Sequence, residues 1–291
     1  MHQSFINYRS QRYGFIALGM VIAAALAYAI RAREEAPNGG TVLGYTLGTV
    51  AALLVAWLAF YGVRRRSFRS VSGSASAWLS AHVYLGIASL VIATFHSAFR
   101  LGLNVHTAAY ALLAFVVLSG CWGVYAYARY PGLMVRRRGN VSRETLLEQL
   151  TELDDRARQL AGGLDDALQQ LIAEAIRRTQ LGGGVWSQLR ARDRSAILVA
   201  GSPSKLVSNE GQHVLIERLA HEHALSHDER STATLQELLE VAGSKAVVVG
   251  KLQKDIQLQA LVQFWLYVHL PLCFGLLTAL VAHVVAVFFY W

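Results

Sequence analysis

Five long apolar runs constrain this chain more than any other feature of its sequence. They fall at about 14–30, 41–63, 77–99, 106–127 and 258–290. Crossing the hydrocarbon core of a bilayer takes about 20 residues of helix. A helix satisfies its backbone groups internally, which lipid cannot do for it. The chain is only 16% charged, against about 25% in soluble domains, and the deficit sits in these runs. The expected fold is therefore all-α and integral to the membrane. Residues 1–130 supply four transmembrane helices, 131–257 a mostly helical cytoplasmic insertion, and 258–291 the fifth helix. The first run has no small-residue cleavage site after it and reads as a retained helix, not a removed signal peptide.

The net charge is +8, but the insertion carries equal numbers of acids and bases, so the excess lies in the rest. Basic residues cluster at alternate ends of the runs: Arg9 and Arg12; Arg64, Arg65, Arg66 and Arg69; Arg129 and Arg136 to Arg138; Lys251 and Lys254. The other ends hold Arg31 and Arg33, offset by Glu34 and Glu35, and Arg100. Such asymmetry places the richer side in the cytoplasm. The N-terminus and the insertion are then inside, Trp291 is outside, and runs three and five point the same way. Nucleic-acid binding asks instead for a basic patch on a soluble face, which the balanced insertion does not offer. Cys121 and Cys273 lie singly in apolar runs, so neither a disulfide framework nor a CxxCH haem attachment is expected.

Within the insertion, 142–180 has helical periodicity broken near Gly162 and Gly163. Ser142 is a candidate cap, with Glu144 in the first turn. Gly182 to Gly184 form a break. The Val- and Ile-rich pieces 196–200 and 246–249 read as strands. His221, His223 and His227 read best as a solvated helix face, with an i,i+4 chelate of His223 and His227 as the alternative. Gly243 and the Gly250-Lys251 pair lack the spacing of a phosphate loop.

Four histidines lie deep in the apolar runs: His82 and His96 in the third, His269 and His283 in the fifth. Each pair is 14 residues apart, about 21 Å along a helix and close to a whole number of turns, so each pair shares a face. Two histidines that far apart cannot hold one ion. They can each give an axial ligand to one of two haems stacked across the membrane, since imidazole is a good ligand for iron. Parallel runs pair His82 with His269 and His96 with His283. Between the first two, Gly86, Ser89 and Ala93 leave room for a flat macrocycle, or for close helix packing. Pro271 should kink the fifth helix beside His269. Arg100 is a candidate partner for a haem propionate or a snorkelling interfacial residue. His106, at the start of the fourth run, reads first as a surface residue and second as a haem-edge, propionate or quinone contact.

With His82, His96, His269 and His283 at this spacing and helix order, the chain resembles the haem core of ferric-reductase and NADPH-oxidase-type membrane cytochromes. It is similar also to respiratory di-haem cytochrome b subunits. The resemblance covers runs three to five and not the insertion. It implies a haem-binding bundle with two b-type haems in a bacterial inner membrane, passing electrons as the membrane subunit of an oxidoreductase complex. It further implies exchange with the quinone pool and with an iron-sulfur, flavin or c-type cytochrome partner. No flavin or nicotinamide domain follows the fifth run, and there is no PEWY motif. A membrane reductase or quinol oxidase acting at a haem edge, and a haem-free histidine transporter, are the alternative readings.

Overall fold

A computed structural model describes residues 11–34, 36–66, 74–199 and 205–290. Arg9, Glu35, Arg69, Ala200 and Trp291 lie outside the described residues. The chain divides into two compact units, one of 1–125 with 265–291 and one of 126–264.

The first unit is built from α1 (Arg12–Arg31), α2 (Val42–Arg66), α3 (Ala75–His96), the first part of α4 (Val105–Arg138) and the last part of α9 (Glu229–Tyr290). Five helices of the chain are long and apolar enough to cross a membrane, as a multi-pass membrane protein requires. Their outward faces carry Phe15, Leu26, Leu53, Phe60, Phe115, Leu118 and Phe288, all exposed; exposure of this kind needs lipid or a partner. Inside, Ala24, Leu47, Ala51, Val55, Ile92, Ala93, Leu113 and Leu276 form one core, and Ala17, Leu58, Ala81, Leu85 and Ala88 a second. The many alanines allow close approach of backbones, and α3 packs most closely on α2 and α1. Ser74 caps α3 by accepting from the Ala77 amide. The helix ends at His96, three residues before the expected limit, because Ala98 and Phe99 adopt left-handed φ of 49° and 60°. Asn104 caps α4, its side chain accepting from the Thr107 amide at 2.9 Å.

The second unit contains the end of α4, α5 (Arg143–Ala161), α6 (Asp166–Arg177), α7 (Val185–Leu189), β1 (Ala196–Val199), β2 (Lys205–Ser208), α8 (His213–Leu225) and the first part of α9. The Ser142 cap forms, accepting from the Thr145 amide, and α5 and α6 are separated at Gly162 and Gly163. The β1 strand pairs antiparallel with β2, Ile197 opposite Val207. Leu168, Ile172, Ile197, Leu219, Leu235 and Leu238 are buried together.

Four expectations for this unit change. The 246–249 strand is helix: Val248, Val249 and Leu252 bury against Leu146 and Leu150 of α5, and that helical stripe overrides the β-propensity of valine. One turn earlier, Lys245 meets Asp154 at 2.7 Å. The fifth helix therefore begins not near 258 but at Glu229, where Asp228 accepts from the Ser231 amide at 2.9 Å as an N-cap. Likewise α4 passes through Pro131 to Arg138, beyond the expected limit at 127. Finally, α8 ends at Leu225, so His223 and His227 do not share a helix and the i,i+4 chelate is lost.

Candidate functional site

The four histidines singled out in the sequence all lie in the first unit, two on α3 and two on α9. The rings of His96 and His283 are 6.2 Å apart between centroids. His269 is 8% exposed, and the other three are half-buried.

The nitrogens of two rings can be assigned from their partners. His96 Nδ1 is 2.7 Å from the Gly44 carbonyl of α2. A carbonyl only accepts, so Nδ1 carries the proton and Nε2 keeps its lone pair. His269 Nδ1 is 2.7 Å from Ser119 Oγ of α4. Ser119 gives its one hydroxyl proton to the Val116 carbonyl, 2.9 Å away, so it must accept from His269. Nε2 of His269 then keeps its lone pair, as in His96. Orientation of a metal-ligating imidazole through its other nitrogen is the usual arrangement. His82 lies beside the Tyr61 ring, 4.9 Å between centroids, and faces the Leu58 carbonyl, though its Nδ1 makes no hydrogen bond of good geometry.

Small residues make these placements possible. A Cβ on Gly48 would stand 2.7 Å from the His96 ring, and one on Gly123 would stand 2.1 Å from Trp265. Trp265 fills that notch, donates to the Ser119 carbonyl and packs beside the His269 ring at 5.2 Å. A Cβ on Gly120 would stand 3.7 Å from the His269 ring, in ordinary van der Waals contact. A Cβ on Gly86, the glycine picked out in the sequence, would meet only Leu58, at 4.0 Å. Arg100 is exposed in the turn after α3.

His106 differs from its surface reading. It is half-buried, its ring 5.1 Å from His96 and 4.9 Å from His283. The three rings form a triangle whose longest side joins His96 and His283. Nearby, Tyr110 and Thr94 hydroxyls meet at 3.0 Å, tying α4 to α3. Gly44, Gly48, Ser119, Gly123 and the role of His106 were missed in the sequence. Glycines four residues apart at 40, 44 and 48 were the available signal, since this spacing marks close helix contact.

Imidazole is a ligand for haem iron and for metal ions alike, and His96 and His283 would each offer one, their rings 6.2 Å apart between centroids. His106 flanks that space, so a flat macrocycle there requires its ring to turn aside. Comparison with protein-family models, curated proteins and solved structures finds no match for the chain.

Proposed function

We propose that the chain is a di-haem membrane cytochrome of the b type. His82 and His269 hold one haem, His96 and His283 the other. The chain carries electrons across a bacterial inner membrane as the membrane subunit of an oxidoreductase complex. The observation that supports this reading is the hydrogen bond that holds Nδ1 of His96 and of His269 and leaves the lone pair on Nε2, within helices long enough to span a bilayer. Ionisable side chains in such segments are costly and functional by default.

When bound, the iron supplies a one-electron couple whose potential depends on its ligands and their hydrogen bonds. The chain's own residues do the rest. Gly44 and Ser119 orient the ligands, Gly48 gives His96 its place, and the apolar helices exclude water. Fourteen residues of helix set the two sites about 21 Å apart in depth. The quinone pool and an iron-sulfur, flavin or c-type cytochrome protein are the proposed exchange partners.

A pyridine haemochrome assay on the purified chain tests this, with two haems per chain expected. His82→Ala and His269→Ala should each lose the same haem, and His96→Ala and His283→Ala the other. A chain that shows no b-type spectrum when expressed with ample haem would refute the reading. Loss in crossed pairs would refute the pairing.

A further inference from the structure

Haem ligation by His96 and His283 leaves His106 unused, although it is as close to each ring as they are to one another. We propose that His96, His106 and His283 form a binding site for one divalent transition-metal ion, of the zinc, copper or nickel class.

One ring nitrogen of each residue lies within 4.8 Å of one from each of the other two. The ring separations of 5.1, 4.9 and 6.2 Å leave no ring remote from the others. Three imidazoles with a fourth position open form a well-known ligand set for zinc, and imidazole suits copper and nickel equally. Metal–nitrogen bonds of about 2.0–2.1 Å bring ligand nitrogens to roughly 3.4 Å of one another, so the rings must draw in by about an ångström on binding.

Their surroundings favour this role. The Gly44 carbonyl takes the Nδ1 proton of His96 and leaves Nε2 as the ligand atom. The α2 backbone at Gly48 backs the same ring and fixes its position. His96 is the last residue of α3 and His106 the second of α4, so two of the three ligands stand at helix ends, where an ion from water can reach them. Among the described residues this is the only such group of histidines, cysteines and carboxylates. No carboxylate belongs to it, so the bound ion keeps its full charge and its open position favours hydroxide or another small anion.

The metal site does not depend on the haem reading. One consequence does: an ion there and a haem on His96 and His283 exclude each other.

Cobalt titration of the full-length chain, prepared from haem-starved cells, tests the site through the visible absorption of tetrahedral Co2+. One ion per chain is expected. His106→Ala should weaken binding at least tenfold. His106→Cys should keep it and add a thiolate-to-cobalt charge-transfer band, which a misfolded variant would not give. His221→Ala with His223→Ala should change nothing. Wild-type affinity in His106→Ala, no charge-transfer band in His106→Cys, or loss of binding with the insertion histidines would each overturn the proposal. The haem-replete chain should bind no cobalt; simultaneous binding would overturn the exclusion. Absence of a b-type spectrum would sink the haem reading and leave the cobalt result standing.

Discussion

At Gly48 one methyl group separates a helix from its site. Alanine is the better helix former by about 0.5–1 kcal/mol, so Gly48→Ala should leave α2 intact. Yet its Cβ would stand 2.7 Å from the His96 ring, and the ring must move. Gly48→Ala is therefore expected to lose the haem or metal ion on His96 while circular dichroism stays unchanged. Ser119 offers the complementary test. Ser119→Ala removes the acceptor for His269 Nδ1–H and frees the ring to change tautomer. Loss of such a hydrogen bond usually costs 10–100-fold in metal affinity. A loss of that order at the His82 and His269 pair is expected, with Ser119→Thr restoring it, measured as haem retained after dilution.

The helices themselves were largely legible in the sequence. Runs of leucine, valine and alanine about 20 residues long have few other uses, and the 14-residue histidine spacing follows from helix geometry alone. What failed was of two kinds. The 246–249 strand was read from local propensity, but its partner is the leucine stripe of α5, a contact distant in sequence. His106 has no periodic partner in its own run, so nothing in that run shows that it faces His96 and His283. The contact with α5 also makes a prediction about the second unit. Lys245 is 3% exposed and paired with Asp154. Burial, outweighing the attraction of Asp154, holds its ammonium below the usual lysine range. In the window between that lowered value and the ordinary one, the unfolded chain binds more protons than the folded, so stability should rise with pH there. Breaking a buried pair costs about 3–5 kcal/mol, whereas an apolar replacement of similar volume is often neutral or stabilising. Asp154→Ala should therefore lower the midpoint of urea unfolding, while the double replacement Lys245→Met with Asp154→Leu should leave or raise it and abolish the rise with pH.

For the whole molecule, five crossings would put the two ends of the chain on opposite sides of a membrane, and the arginine pattern predicts which. Alkaline phosphatase fused after Trp291 should be active, and the same reporter inserted at Ser226 should be inactive; the reverse result would invert the topology. Across the molecule the four proposed ligands are not equally open to change. His96 is oriented by the Gly44 carbonyl, a group that every amino acid carries, so no substitution at that position deletes the acceptor. His269 is oriented by the hydroxyl of Ser119, which a single codon change removes or replaces. The His269 centre is thus the one whose properties descent can adjust in small steps. The acceptor for His96 cannot be deleted by any side-chain change, so that hydrogen bond should vary far less among descendants of this chain.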